Sequence, residues 1–230
     1  LLKFGTDAQK QRYLPGIASG DILCSACLTE PRGGTDLGNM ETTAKKVDGG
    51  FLLNGTKVFI SHAAHAGLFL VVATVDREKK HRGVTAFLVD PRSEGIRIGD
   101  FPMRTLRRDN LAEVHFENAF VPDEGLLGEP GKGFIYLMEG LAEERLLGAA
   151  GYIATAQLSW DLTAEFVKER KAFGKPLAAF QNTQFKLAEM DTELTHIFAY
   201  LARAEDGKNL DGKKGQKMGT LKAGAQPVRT

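Results

Sequence analysis

The chain has 230 residues and a mass of 25.0 kDa, enough for one large domain or two small ones. With 30 basic residues against 29 acidic ones the formal net charge is +1, which gives no ground for a nucleic-acid partner, a polybasic membrane patch or an acidic tail. No apolar run approaches the roughly 20 residues that cross a bilayer, and Leu1-Leu2-Lys3-Phe4-Gly5 has neither a signal-peptide design nor an initiator methionine.

In chain order, residues 1 to about 20 read as a short helix. Gly5-Thr6-Asp7 supplies capping chemistry, and the helical mix from Gln9 to Leu14 should stop at Pro15-Gly16. Cys24 and Cys27 form a single Cys-x-x-Cys. Without a second pair or histidines at metal spacing, two small buried thiols are a better reading than a zinc site or a redox pair. In Leu28-Thr29-Glu30-Pro31-Arg32-Gly33-Gly34-Thr35-Asp36 an apolar run ends in hydroxyls and two glycines. That is either a cradle for phosphate or the polar edge of a ring, or an ordinary polar turn.

Residues from about 22 to 122 are built of strands. Phe51 to Ile60 reads as a hairpin turning at Asn54-Gly55, because that dipeptide accepts the positive φ angles of a type I′ turn. Gly67 to Thr74, Val84 to Asp90 and Ala112 to Glu117 are further strands, separated by the turns Asp48-Gly49-Gly50, Arg82-Gly83 and Asp90-Pro91. His62 and His65 lack a neighbouring carboxylate ligand, so no metal site is expected.

From about 134 to 205 the pattern is helical. Leu158, Leu162 and Phe166 mark one helix; Leu187, Met190, Leu194, Ile197, Phe198 and Leu201 mark a second. Phe173-Gly174-Lys175-Pro176 breaks the rod and turns it into an antiparallel pair, half of what a four-helix bundle needs. Glu139, Glu143 and Glu144 stand beside apolar residues, where the helix dipole explains them or burial makes one a general base. The glycine-rich run after Asp206 reads as an irregular tail. The fold class expected is α+β: a central antiparallel β-barrel or sandwich flanked by helical regions. No G-x-G-x-x-G follows a strand, and Gly131-Lys132 continues into Gly133, so a nicotinamide Rossmann domain and a P-loop are both disfavoured.

Leu28-Thr29-Glu30-Pro31 with Gly34-Thr35-Asp36 resembles the signature of the acyl-CoA dehydrogenase family. Asn54-Gly55-x-Lys57-x-Phe59-Ile60-Ser61 is similar to a second family strand, and Glu169-Arg170-Lys171-Ala172-Phe173-Gly174-Lys175 with Phe180-Gln181 resembles a third element. The matches run in family order across nearly the whole chain. The resemblance implies the end of an N-terminal helical domain (1–22), a middle β-barrel domain (23–125), part of a C-terminal helical bundle (126–205) and the tail (206–230), in a chain truncated at both ends.

The same resemblance implies FAD as cofactor and α,β-dehydrogenation of an acyl-CoA to the trans-2-enoyl-CoA. It also implies electron-transfer flavoprotein as electron acceptor and a homo-oligomer, dimer or tetramer. The flavin positions implied are Ala26, Leu28, Thr29, Gly34, Thr35, Phe59, Ile60 and Ser61, with Arg170, Phe173 and Gln181 reaching the FAD of a neighbouring subunit. Lys132-Gly133-Phe134 through Leu147 resembles the long-chain and isovaleryl branch, whose base lies on the first bundle helix. Glu144 is then the base, and Thr35, Ala142, Glu143 and Arg145 line the acyl-CoA site. The compartment implied is the cytoplasm, or the mitochondrial matrix in a eukaryote. A same-fold acyl-CoA oxidase or flavin monooxygenase, or a non-catalytic fragment, are the rival readings.

Overall fold

The computed structural model describes residues 1–101 and 111–205, and these divide into two compact units with the boundary between Met138 and Glu139. The expected tail from 206 onward lies outside the described residues.

The first unit opens with helix α1, Asp7–Ser19. Thr6 and Gln9 close a capping box: Thr6 Oγ1 accepts from the Gln9 amide at 3.2 Å and Gln9 Oε1 accepts from the Thr6 amide at 3.0 Å. The helix continues through Pro15 to Ser19, contrary to the stop expected there. Proline forfeits one helical hydrogen bond. However, Tyr13 and Ile17, one turn apart, both pack on Leu68, Ala86, Leu88 and Leu127, and burial of that face carries the helix across the gap.

Eight strands form one sheet: β1 Cys24–Cys27, β2 Thr43–Val47, β3 Gly50–Ser61, β4 Leu68–Thr74, β5 Val84–Val89, β6 Ile96–Phe101, β7 Leu111–Pro122 and β8 Leu126–Leu127. The order is β6-β7-β3-β2-β4-β5-β8, with β1 lying parallel to β4. Most ladders are antiparallel as expected, but among the described residues no ladder joins β6 to β8. The sheet is open where a closed barrel was expected; β8 is two residues long and its ladder reaches only β5. Inward side chains from all eight strands, among them Cys27, Ala44, Leu53, Phe69, Phe87, Ile98, Val114 and Leu126, share one core. β4 and β5 are buried on both faces, since their other sides meet α1 and the residues around Met40.

Two sequence expectations fail here for physical reasons. Asn54-Gly55 is no hairpin tip: β3 runs straight through it, paired to β2 on one side and β7 on the other, with a register shift between Leu53 and Gly55. The bulge is on the partner strand, where Glu117 and Asn118 of β7 stand opposite Asn54 alone; Asn54 Oδ1 accepts from the Asn118 amide at 2.9 Å and Asn54 Nδ2 donates to Asn118 Oδ1 at 3.1 Å. The hairpin turn lies earlier, at Asp48-Gly49 between β2 and β3. The cysteines also part company. Three residues apart on a strand they face opposite sides, so Cys27 is fully buried and Cys24 is exposed.

The second unit contains the main length of α2, Gly133–Glu169, and α3, Gln181–Glu205. Leu146, Ala149 and Ile153 pack with Ile197 and Leu201, and Trp160 Nε1 donates to the Leu187 carbonyl at 3.3 Å, so the helices run antiparallel as expected. Leu158, Leu162 and Phe166, read as a helix stripe, form a ridge that is exposed, while Ala164 and Val167 are the buried residues of that stretch. Between the helices, β9 (Lys171–Ala172) and β10 (Lys175–Pro176) pair around Phe173-Gly174, both with positive φ. Sequence patterning expected only a break there.

Candidate functional site

Where β1 ends, the chain is held by three side-by-side tethers. The Val58 amide donates to the Thr29 carbonyl at 2.9 Å, and Lys57 Nζ donates to the Leu28 carbonyl at 3.2 Å and to Glu30 Oε1 at 2.9 Å. The other acceptor capacity of Glu30 is used by the Glu41 and Thr42 amides, at 2.5 and 2.9 Å. Lys57 and Glu30 are 0% and 4% exposed, the one ion pair among the described residues with both partners buried. Burial pushes the Glu30 carboxyl up, but the Glu41 amide, the Lys57 charge and Thr42 together outweigh it and hold the group below the usual carboxylate range. Burial pulls the Lys57 ammonium below the usual lysine value, against the opposing pull of Glu30.

After Glu30 the chain doubles back, Glu30 and Gly33 exchanging backbone hydrogen bonds of 3.1 and 3.0 Å. That brings Gly34 over Thr29: a Cβ at Gly34 would stand 3.0 Å from both Thr29 Oγ1 and Cγ2. Among the described residues no hydrogen bond engages the Thr29 hydroxyl. Thr35 follows, exposed.

β3 supplies the neighbouring surface. Its pairing with β7 jumps from Lys57–Val114 to Ile60–Ala112, one residue more on β3 than on β7. Phe59 sits in this bulge with φ +58 and is 53% exposed, while Ile60 is buried in the core. Ser61 is exposed, and its carbonyl accepts from Ser25 Oγ at 2.7 Å. Thr29, Gly34 and Thr35 thus belong to one turn, and Phe59 to Ser61 belong to the bulge that follows the residue tethering it. Ala26 is exposed on β1; Leu28 is half-buried beside Met40, Val72 and Val84. The side chain of Ile60 points into the core, so it presents only main chain outward.

Two features escaped sequence reasoning. Glu30 and Lys57 stood in the quoted motifs without a role. The signal was a lysine leading into the apolar run Val58-Phe59-Ile60 of a strand, 27 positions from its carboxylate. The second is a basic 3-10 turn, Lys80-His81-Arg82, packed against the turn Leu37–Asn39 that continues the Gly33–Asp36 stretch. Overall charge balance hid it.

On the helical unit, Ala142 and Arg145 are half-buried on α2 and Glu143 and Glu144 are exposed, as is Glu139. None of the three acids lies in the first turn of a helix that begins at Gly133, so the dipole does not account for them. Arg170 directly follows α2 and Gln181 begins α3, both exposed. Phe173, at φ +51, is 96% exposed at the tip of the β9–β10 hairpin, 6.4 Å edge-on from Phe180. A cavity of about 570 Å³ opens elsewhere, between α1 and the sheet rim near Asp90 and Glu124. Two of its polar side chains are engaged, Gln9 with the Glu124 and Leu126 carbonyls and Asp90 with Arg92.

The Thr29 turn and the Phe59 bulge offer uncharged hydroxyls, main-chain groups and one outward aromatic ring, and a glycine leaves open the space a Cβ would take. That donor set fits the polar edge and flat face of a fused ring such as a flavin.

The fold defines an α+β protein with a sheet unit that carries this turn and a second, helical unit. Residues 25–119 match the acyl-CoA dehydrogenase middle domain and residues 131–228 the acyl-CoA dehydrogenase C-terminal domain. The chain belongs to the acyl-CoA dehydrogenase family. It is 37% identical over 217 residues to the mitochondrial isovaleryl-CoA dehydrogenase of Oryza sativa subsp. japonica, covering 93% of this chain and 53% of that protein. The crystal structure of acyl-CoA dehydrogenase from Geobacillus kaustophilus matches 96% of this chain and 60% of that one, with TM-score 0.89 and 36% identity. A glutaryl-coenzyme A dehydrogenase in complex with glutaryl-CoA matches 97% and 57%, with TM-score 0.90 and 31% identity. The chain spans about half the length of the curated relatives it matches.

Proposed function

We propose that this chain belongs to an FAD-dependent acyl-CoA dehydrogenase that converts an acyl-CoA to the trans-2-enoyl-CoA. The observation that carries this reading is the tethered Thr29 turn beside the left-handed Phe59, in a chain of this family. FAD, when bound, supplies the acceptor for the two electrons and the β hydrogen that leave the substrate. Thr29 and Ser61 offer hydroxyls to the polar edge of its ring, Phe59 offers a flat apolar face, and Thr35 with the main chain of Gly33 and Gly34 lies where a diphosphate can be approached closely.

Glu144 takes the α proton: the α C–H bond breaks, its electron pair moves into the forming double bond, and the proton ends on the carboxylate. Ala142, Glu143 and Arg145, on the same stretch of α2, line the acyl-CoA site in this reading. Arg170, Phe173 and Gln181 extend from the α2–α3 connection toward the FAD of a second subunit of a dimer or tetramer; a guanidinium there suits a diphosphate because its fork bonds two oxygens. The basic turn Lys80–Arg82 adds positive charge against Leu37–Asn39, just beyond the Gly33–Asp36 stretch, where it favours an anionic ligand. Electron-transfer flavoprotein is the acceptor that reoxidises the flavin. The compartment in this reading is the cytoplasm, or the mitochondrial matrix in a eukaryote; the name of the rice relative says mitochondrial.

The test is anaerobic mixing of the flavin-loaded protein with saturated acyl-CoAs. Bleaching of the visible flavin band is expected, and Glu144→Gln should abolish it while the flavin stays bound. A loaded protein that bleaches with no acyl chain length refutes the dehydrogenase reading; bleaching that survives in E144Q moves the base elsewhere.

A further inference from the structure

A wholly buried ion pair directly beside this neutral turn needs an explanation, since Glu30 is the residue after Thr29. Taking two charges out of water costs several kcal/mol each, and well-packed apolar residues in their place are often as stable. Stability therefore does not explain why Lys57 and Glu30 occupy this place. Geometry does. Lys57 Nζ reaches the carbonyl of Leu28 and the carboxylate of Glu30, the residues on either side of Thr29, while the next residue on β3 donates to the carbonyl of Thr29 itself. All three consecutive residues are fastened on the inner side. Glu30 then ties the same point to the Glu41 and Thr42 amides that lead into β2. Of the three residues, Thr29 alone has a polar side chain outside this network, half-exposed and capped by Gly34, while the Leu28 side chain packs on Met40, Val72 and Val84.

We propose that the Glu30–Lys57 pair is a positioning device: it fixes the main chain of Leu28–Glu30 against β3 so that the Thr29 hydroxyl is aimed at the flavin ring. This rests on the flavin reading of the turn. Neither charged residue touches the ring; both act through Thr29. The arrangement is rigid because a lysine ammonium holds two acceptors at fixed separation, and the carboxylate holds three donors. A neutral pair of similar shape would keep the core filled but would lose the bond to the Leu28 carbonyl, freeing the turn without unfolding the sheet.

The experiment is a double-mutant cycle on FAD affinity in the 230-residue chain, read by quenching of flavin fluorescence, with Thr29→Val, the neutral pair E30Q/K57M and the triple variant. Hydrogen exchange at the Val58 amide, measured without flavin, is the independent readout. The expected result is that T29V weakens FAD binding by roughly fivefold, the loss of one hydrogen bond, and E30Q/K57M by roughly tenfold. T29V should then add almost nothing in the neutral-pair background, and Val58 exchange should quicken about tenfold there while β4 and β5 amides are unchanged. Should E30Q/K57M not fold, the cycle is run with E30Q/K57Q, which keeps the site neutral and polar but leaves a side chain too short to reach the Leu28 carbonyl. If T29V costs the same factor in both backgrounds, the pair is merely structural and the proposal is overturned, with the flavin reading intact. If Val58 exchange does not change, the pair does not hold the turn and the proposal also falls. If the unaltered chain fails to quench FAD at all, the flavin reading fails and takes this assignment with it, an outcome marked off by its independence of every substitution.

Discussion

Replacing Gly55 by alanine tests the bulge that displaced the expected hairpin. At φ +147 this backbone is outside what an L side chain adopts, which costs about 1–2 kcal/mol. The added Cβ would also stand 2.5 Å from Thr42 Oγ1 and 2.7 Å from Thr42 Cα. The second contact is with main chain, so no rotamer change relieves it and the lead into β2 must move. Overpacking of this kind costs about 1–3 kcal/mol, giving a total of about 2–5 kcal/mol. Gly49 is the control. It too has positive φ, +74, but nothing lies within 4 Å of its Cβ position, so Gly49→Ala should cost only the conformational part, about 1 kcal/mol. Urea unfolding followed by circular dichroism, compared at constant m, reads the difference. If G55A lies within 0.5 kcal/mol of G49A, the close approach of β3 to Thr42 is not a constraint and the argument is wrong.

Two further outcomes follow from the buried groups. Because the folded Glu30 carboxyl lies below its ordinary value of about 4.3, its contribution to stability is complete above that value and disappears as pH falls through the depressed folded one. The stability gap between the unaltered chain and E30Q should therefore shrink on acidification below about pH 4, and a gap constant from pH 7 down to pH 3 would contradict the ion-pair assignment. Burial pushes the Cys27 thiol up to about 12, and Cys24 is exposed on the opposite face of β1. Titration with an aromatic disulfide at mildly alkaline pH should find one reactive thiol in the native chain and the second only in denaturant; two fast native thiols would show that Cys27 is reachable.

The parts of this fold that were legible from sequence are those where one local pattern decides. β4 and β5 are short apolar runs between glycine and proline turns, and α3 keeps its three-four spacing, so length and periodicity identify them. Where a distant residue decides, local signals misled. Asn54-Gly55 has every property of a type I′ turn, but β2 and β7 flank it on both sides, and two ladders outweigh one dipeptide. Pro15 ends helices in general, yet Tyr13 and Ile17 bury against the sheet on either side of it. Strands β2 and β6, rich in Lys45, Lys46 and Arg97, carry too little apolar alternation to be read at all. At the site, Thr29, Phe59 and Ser61 came from the motif resemblance. The pairing of Glu30 with Lys57 did not, since sequence spacing carries no information about a contact across two strands.

The strained backbone positions bind these observations together. Among the described residues five non-glycine positions have positive φ: Phe59, His62, Lys80, Asn118 and Phe173. Asn118 is easily accommodated, because asparagine tolerates this region and its side chain bonds Asn54 across the bulge. An aromatic residue has no such relief, and each instance costs about 1–3 kcal/mol that the surrounding structure must offset. Phe59 is left-handed for a reason visible in β3 itself. Lys57 and Val58 are consecutive and both buried, which breaks the alternation of a strand, and Ile60 is buried again. The chain regains its register only by inserting Phe59 outward in the left-handed conformation. Burying the lysine that fastens Thr29 and exposing the ring beside it are thus one structural event: the strand gives up regular pairing at the point where the candidate flavin surface begins.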